Sequence, residues 1–152
     1  MLTDKGVKTI EFNARFGDPE AQVVLPRMKT DIIEVMEACV NGTLDKIELE
    51  FEDNAAVCVV LASDGYPEKY EKGFPISGLE AFDGKKDYFV FHAGTKKGEN
   101  GQILTNGGRV LGVTATGKDL KEARRKAYEA TGWISFENKY MRTDIGKAID
   151  EA

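Results

Sequence analysis

Apolar and polar residues alternate with period two in several short segments of this chain, and this pattern predicts β-strands. The alternation is clearest where Ile47, Leu49 and Phe51 are interleaved with glutamates, which predicts a half-buried strand. Residues 55–62 and 88–93 form more continuous apolar runs, which suit buried strands. We expect strands at 7–13, 47–51, 55–62, 88–93, 102–105, 109–116 and 134–136.

Other segments carry apolar residues at helical spacing. This spacing predicts a helix over 31–40, with Thr30 as its N-cap and Asn41-Gly42 as its stop. A second helix is expected over 120–131, capped by Asp119, and a third over 144–152. Residues 18–26 are predicted to form a turn or a short helical piece, because Pro26 interrupts a longer helix.

The spacing of apolar residues changes from helical to strand-like near residues 41–45, and we place a domain boundary there. The predicted units are residues 1–42 and 43–152. About 40 residues are marginal for an independent fold. The first unit is therefore interpreted as a fragment of something larger, and the second as a mixed β domain with C-terminal helices.

Composition narrows the class of protein. The chain has 152 residues, 41% of them apolar, and a net charge of −5, which fits a globular domain and argues against a nucleic-acid partner. The cations at 121–126 fit the solvated face of a helix. No run is long enough to span a membrane and no signal peptide is visible. Cys39 and Cys58 are expected to be reduced core residues, so a cytoplasmic protein is predicted.

The end of the first predicted strand carries a candidate metal site. On a strand, residues i, i+2 and i+4 share one face, so Glu11, Asn13 and Arg15 could project together. Two oxygen ligands beside a fixed cation suit a Mg²⁺–nucleotide phosphate site. The alternative is a solvated strand edge that binds no metal. The sharp turn at 16–19, which contains Gly17 and Pro19, favours the functional interpretation.

Several motifs, in the same order, resemble the phosphoribosylamine–glycine ligase family of the ATP-grasp superfamily. The resemblance begins with the run RFGDPEAQ at 15–22 and covers nearly the whole chain. It continues at residues 65–67, 72–76, 91–95, 105–113 and 140–146. The fold that it implies is α+β. Residues 1–42 would close an ATP-grasp domain, and residues 43–152 would form a domain of barrel-sandwich-hybrid type.

The resemblance also implies a reaction and a set of site residues. Such ligases use ATP to join glycine to 5-phosphoribosylamine through a glycyl phosphate, in de novo purine synthesis. Glu11 and Asn13 would bind Mg²⁺ or Mn²⁺, and Arg15 would stabilise the transferring phosphoryl group. A salt bridge from Arg15 to Asp18 or Glu20 is the structural alternative.

Three further residues are candidate substrate contacts. Asp18 and Glu20 could meet the incoming amine, or they could hold the loop, with Asp18 capping the turn. Arg109 follows Asn106-Gly107-Gly108, where a glycine backbone could approach an anion; the alternative is a hairpin turn with a solvated arginine. His92 is expected to be packed rather than catalytic. The aromatic residues Phe82, Tyr88, Phe89 and Phe91 are core candidates.

The family's N-terminal domain and the elements that hold adenine are absent from this sequence. We therefore expect the chain alone to lack ligase activity and to need those portions as partners. Two other hypotheses stay open: a non-catalytic docking module, and a part of another ATP-grasp carboxylate–amine ligase.

Overall fold

The computed structural model describes residues 2–12 and 14–151 and has a mixed α/β architecture. Within these residues the α-helices are α1 (Ala21–Val24), α2 (Ile32–Asn41) and α3 (Leu120–Thr131), and short 3-10 turns lie at Leu25–Arg27, Leu44–Lys46, Leu79–Phe82 and Lys147–Glu151. The strands are β1 (Leu2–Thr3), β2 (Gly6–Val7), β3 (Ala55–Ser63), β4 (Tyr88–His92), β5 (Thr95–Lys97), β6 (Ile103–Thr105), β7 (Arg109–Gly117) and β8 (Lys139–Tyr140).

The centre of the fold is a four-stranded antiparallel sheet with the order β4-β7-β3-β8. Its two long strands, β3 and β7, pair from Ala55 opposite Gly117 to Leu61 opposite Leu111. Strands β1 and β2 form a separate hairpin, and so do β5 and β6.

Helix α3 covers one face of this sheet. The face is built by alternate residues, such as Val59 opposite Val113 and Leu61 opposite Leu111, all fully buried. Helix α3 packs here with Ala123, Ala127 and Ala130, whose small side chains let its backbone approach the strands. Burial of a valine or leucine stabilises by roughly 1.5–3 kcal/mol. The α3 side is therefore the main hydrophobic core.

The other residues of the same strands form the outer face of the sheet. Helix α1 lies against this face and contacts β3 and β7. Phe89 and Phe91 stack at 6.2 Å and are only half-buried, and Phe91 pairs opposite Gly112. Of the predicted core aromatics, Phe82 is buried and Tyr88 packs against the core, but Phe89 and Phe91 lie outside both core clusters.

Pattern-based predictions hold where a strand pairs with another strand along its length. The strands expected at 55–62, 88–93, 102–105 and 109–116 are confirmed. The strand expected at 47–51 is wrong, because this segment gains a single bridge, from Phe51 to Met28. The strand expected at 134–136 is likewise reduced to the bridge between Ser77 and Ser135.

The predicted helices are confirmed with shifted ends. Helix α2 stops at Gly42, whose φ of 65° is left-handed. Its N-cap is Asp31, which accepts a hydrogen bond from the Ile33 N–H; the prediction of Thr30 was wrong. A short helical piece at 18–26 is confirmed as α1 and the turn after it. The last predicted helix is a 3-10 turn from Lys147 to Glu151, and its expected end at Ala152 lies outside the described residues.

Two core predictions need correction. Cys58 is buried, and burial raises the pKa of its thiol, but Cys39 is exposed on α2; neither is in a disulfide. His92 is exposed at the end of β4, where its Nδ1 is 2.9 Å from Thr95 Oγ1, so it is not a packed histidine.

Among the described residues, no helix has the length and apolarity needed to cross a membrane.

Candidate functional site

A β-bulge at the start of β7 sets the direction of Arg109. The pairing with β3 slips between Leu61, opposite Leu111, and Ala62, opposite Arg109. Val110 and Leu111 are consecutive, yet both are buried in the core under α3. Strict alternation would place Arg109 on the core side together with Leu111. The extra residue reverses this, and Arg109 points to the outer face instead.

On the outer face, Arg109 meets Asp18 from the loop that precedes α1, 91 residues away in sequence. Arg109 Nη1 donates to the Asp18 carbonyl oxygen at 2.8 Å and to Asp18 Oδ2 at 3.3 Å. Partial burial lowers the pKa of Arg109, but the Tyr66 side chain and Asp18 outweigh it and raise that pKa. The structure therefore brings together two of the predicted substrate contacts.

The glycines before Arg109 serve close packing. A Cβ on Gly107 would lie 2.8 Å from Gly94 Cα, and one on Gly108 would lie 1.9 Å from Tyr66 Cδ2. Ser63, fully buried, fixes this loop through its N–H to Gly108 O and its hydroxyl to Gly107 O. The alternative of a hairpin turn across these residues is wrong, because β6 pairs with β5 and β7 pairs with β3 and β4. Arg109 is thus held by neighbours and is not a freely solvated turn residue.

Asp18 and Glu20 have separate roles in the loop. Asp18 Oδ1 accepts a hydrogen bond from Gln22 Nε2 at 2.8 Å, so both carboxylate oxygens have donors. Asp18 does not cap α1, which has no side-chain cap. The Glu20 carboxylate folds back over Gly17, where a Cβ would meet its Oε2 at 2.2 Å. A side chain at position 17 would therefore displace the exposed Glu20 carboxylate from this position.

A groove of about 430 Å³ opens beside Arg109. Its walls combine apolar side chains with two tyrosines and a second arginine, Arg142. Arg142 is exposed and forms a double hydrogen bond with Asp144, at 2.6 and 2.8 Å, which holds the pKa of Asp144 below its usual range. A mostly apolar concavity with a few converging charged groups is typical of a small-molecule site. The lining residues are Pro19, Val60, Ala62, Tyr66, Pro67, Arg109, Tyr140, Met141, Arg142 and Ile145.

The strand that was predicted to carry the N-terminal metal site is much shorter than expected. The expected strand at 7–13 is a strand only at Gly6–Val7, and residues 8–12 have no regular structure. Glu11 is exposed, and Asn13 lies outside the described residues. Arg15 is exposed and donates from Nη1 to the Phe16 carbonyl oxygen at 2.8 Å. The alternative salt bridge from Arg15 to Asp18 or Glu20 is not formed among these described residues.

The described residues contain no group of three or more His, Cys, Asp or Glu side chains placed to hold a metal ion. Magnesium commonly takes one or two carboxylates and completes its shell with water and substrate phosphates. An exposed Glu11 fits that donor chemistry. Its pairing with Asn13 stays a prediction.

Comparison with known proteins gives the family. Residues 56–148 match the family model described as "Phosphoribosylglycinamide synthetase, C domain". The chain belongs to this family. It is 54% identical over 145 residues to the phosphoribosylamine–glycine ligase of Caldanaerobacter subterraneus, covering 95% of this chain and 34% of the relative.

Other relatives agree with this membership in the phosphoribosylglycinamide synthetase family. The phosphoribosylamine–glycine ligase of Halalkalibacterium halodurans is 50% identical over 152 residues, covering 99% of this chain and 34% of the relative. The crystal structure of the Thermotoga maritima ligase superposes with a TM-score of 0.78 at 38% identity, covering 95% of this chain and 35% of that one. The chain thus spans about a third of the length of the relatives that it matches.

Sequence reasoning assigned no role to Tyr66 or Gln22, although both lie in motifs that carried the resemblance. Tyr66 packs on Gly108 and lines the groove, and Gln22 bonds to Asp18. The spacing of Gln22 four residues after Asp18 was an available signal, because side chains at that spacing meet on a helix. Nothing local in the sequence indicates that Tyr66 approaches residue 108.

Proposed function

We propose that this chain is part of an ADP-forming ligase that joins glycine to 5-phosphoribosylamine in de novo purine synthesis. One observation carries the proposal: the chain matches curated phosphoribosylamine–glycine ligases along almost its whole length. The ligase would act in the cytoplasm. Because the relatives are about three times longer, the 152 residues alone are expected to be inactive.

The chemical problem is that a carboxylate is a poor electrophile. In the proposed reaction, the glycine carboxylate attacks the γ-phosphorus of ATP. ADP leaves, and glycyl phosphate is formed. The amine of phosphoribosylamine then attacks the acyl carbon and phosphate departs. A Mg²⁺ or Mn²⁺ ion, when bound, supplies charge neutralisation at the phosphates.

Each candidate residue has a task in this scheme. Glu11 and Asn13 would hold the metal through a carboxylate and an amide oxygen. Arg15 would lie against the transferring phosphoryl group, where a planar guanidinium can donate two parallel hydrogen bonds. Asp18 and Glu20 would contact the amine, and Arg109 would bind an anionic substrate group at the groove.

The division of the chain also enters the proposal. Residues 1–42 would complete an ATP-grasp domain, and residues 43–152 would form a barrel-sandwich-hybrid domain. The family match at 56–148 lies inside the second unit. Most large apolar side chains that the structure leaves exposed lie at residues 7–51, and the exceptions are Tyr66, Leu120 and Tyr140. Ile33, Met36 and Val40, one stripe of α2, are among them.

This exposed apolar surface supports a partner, namely the remaining portions of the ligase. It also keeps a second function open, because a docking module that supplies no catalytic group would expose the same surface. A role in another ATP-grasp carboxylate–amine ligase is a third possibility. Substrate tests separate these functions.

The test is a chimaera in which this chain replaces the matching third of the Caldanaerobacter ligase. We expect ADP release that requires both glycine and phosphoribosylamine, and none from the 152 residues alone. Arg15→Lys should abolish most of this activity and leave the elution volume of the chimaera unchanged. A chimaera that elutes as a folded monomer or oligomer yet forms no glycinamide ribonucleotide would contradict the proposal.

Full activity in Arg15→Lys, Glu11→Ala and Asn13→Ala together would instead favour the docking module. Activity with another amine and no turnover of phosphoribosylamine would favour a different ligase.

A further inference from the structure

Gln22 completes the hydrogen bonding of the Asp18 carboxylate. Gln22 Nε2 donates to Asp18 Oδ1 at 2.8 Å, and Arg109 Nη1 reaches Oδ2 of the same carboxylate at 3.3 Å. The two donors lie on different oxygens, so they restrain the carboxylate from both sides. Asp18 also presents its carbonyl oxygen to Arg109 at 2.8 Å, which leaves the guanidinium little freedom.

The sheet beneath holds Gln22 in place. A Cβ on Gly112 would lie 3.7 Å from Gln22 Cγ and 3.2 Å from Cys58 Sγ. The first of these distances is an ordinary van der Waals contact, so the Gln22 side chain lies directly on the backbone of β7. The Gln22 amide is therefore supported from below and does not swing freely over the surface.

The amide oxygen of Gln22 lowers the stability of the folded state. Its Oε1 is buried and has no hydrogen-bond partner within the part of the chain that the structure describes. A buried acceptor without a donor destabilises the folded state. An apolar side chain of equal length, such as methionine, would avoid this penalty. Side chains that break a local rule in this way are expected mainly at functional sites.

We propose that Gln22 is a positioning residue that holds the Asp18 carboxylate against Arg109 and so sets the direction of the guanidinium at the groove. The proposal deepens the proposed function and rests on it for the role of Asp18 and Arg109 in substrate binding. Gln22 itself contacts no substrate, and its effect passes through Asp18. The geometric part of the proposal concerns this chain alone.

The first experiment therefore uses the 152-residue chain. Nitrogen-15 NMR measures the rotation of the Arg109 guanidinium about its Nε–Cζ bond in the wild type, Gln22→Met and the matched control Gln102→Met. Gln102 is exposed in the connection between β5 and β6 and does not line the groove. We expect several-fold faster rotation in Gln22→Met only, with a free energy of unfolding equal to or above that of the wild type.

Unchanged rotation in Gln22→Met, or the same change in Gln102→Met, would overturn the proposal. If Gln22→Met does not fold, Gln22→Glu tests the same point. It keeps the shape of the side chain and places a second carboxylate beside Asp18, so Arg109 rotation should again be faster.

The second experiment uses the complete chimaeric ligase and a double-mutant cycle with Asp18→Asn. Gln22→Met should raise the KM of the substrate that contacts Arg109 several-fold and leave kcat and the KM of ATP near wild type. In the Asp18→Asn background, Gln22→Met should have no further effect. An equal effect in both backgrounds would indicate a role in packing and overturn the proposal.

The two experiments fail separately. If Arg109 rotation responds as expected but the wild-type chimaera has no ligase activity, the positioning role stands and the proposed function falls. If the wild-type chimaera is active but Arg109 rotation does not change in Gln22→Met, the proposed function stands and the positioning role falls.

Discussion

Single residues in this fold connect segments that are far apart in sequence. Thr105 is fully buried, and its hydroxyl accepts hydrogen bonds from the N–H groups of Gly73 and Phe74, both at 3.1 Å. Gly73 N–H has a second acceptor in the Thr105 carbonyl at 2.8 Å. The hydroxyl therefore matters most for Phe74, and it fastens the loop before residue 75 to β6.

Thr105→Val should destabilise the fold although it keeps the volume of the side chain. The Phe74 N–H would lose its acceptor, and a buried unsatisfied donor costs about 1–3 kcal/mol. Urea unfolding of both proteins measures this difference. Thr105→Ser is the control, because it keeps the hydroxyl and loses one methyl group, worth roughly 0.8 kcal/mol. A valine variant as stable as the wild type would show that the hydroxyl bonds contribute nothing.

At this scale the sequence indicated which residues matter better than why they matter. The glycines at 107 and 108 and the arginine after them were recognised as special. Their reason was not visible, because Gly94 and Tyr66, which pack against them, lie far from them in sequence. Contacts of that kind leave no local pattern.

Among the elements, helices were easier to predict than strands. A helix satisfies its own backbone, so its apolar spacing and caps are written within ten or twelve residues. A strand needs a partner. Residues 47–51 alternate well, yet among the described residues they pair with no strand, and only Phe51 gains a bridge, to Met28. Residues 8–12 show the same limit, because they were predicted as part of the metal-binding strand but have no regular secondary structure.

The start of α2 offers a test in which adjacent residues have different tasks. Asp31 caps the helix, whereas Thr30 Oγ1 binds the Glu50 N–H at 2.8 Å and the Glu48 carbonyl. Asp31→Ala should weaken α2 by about 1 kcal/mol. Hydrogen exchange of α2 amides should then be roughly five times faster.

Thr30→Val is the matched change. It should leave exchange in α2 near wild type and speed exchange of the Glu50 amide instead. If Thr30→Val speeds hydrogen exchange of the α2 amides as strongly as Asp31→Ala does, Thr30 takes part in the cap after all.

Across the whole molecule, one lysine ties the covering helix to two parts of the sheet. Lys126 Nζ, on α3, lies 3.1 Å from Asp87 Oδ2, just before β4, and 3.3 Å from the Thr116 carbonyl of β7. The hydrogen bond that Lys126 donates to Asp87 raises the pKa of Lys126 and outweighs the opposing effect of burial, with Glu122 adding to the rise. The folded state therefore holds this proton more tightly than the unfolded chain.

Lys126→Met should lower the free energy of unfolding by about 1 kcal/mol at neutral pH, the size expected for a partly exposed ion pair. Because the folded pKa is the higher one, the stabilisation is complete below the unfolded value of about 10.4. It is lost as the pH rises through the folded pKa. Urea unfolding of wild type and variant from neutral to alkaline pH should show the difference shrinking.

The control is Lys121→Met, an exposed position on the same helix, where no such dependence is expected. A difference for Lys126→Met that stays constant with pH would mean that packing over Tyr88, and not charge, stabilises this contact.

The extra residue at Val110 fixes the spacing that is needed at the start of β7. Leu111 must face α3 and Arg109 must face away from it, and a regular strand cannot satisfy both at a separation of two. The extra residue resolves the conflict, because it lets β7 place Leu111 in the core under α3 and Arg109 on the outer face of the sheet. The number of residues between the cation and the first core leucine is thus as strict a requirement as their chemical identity.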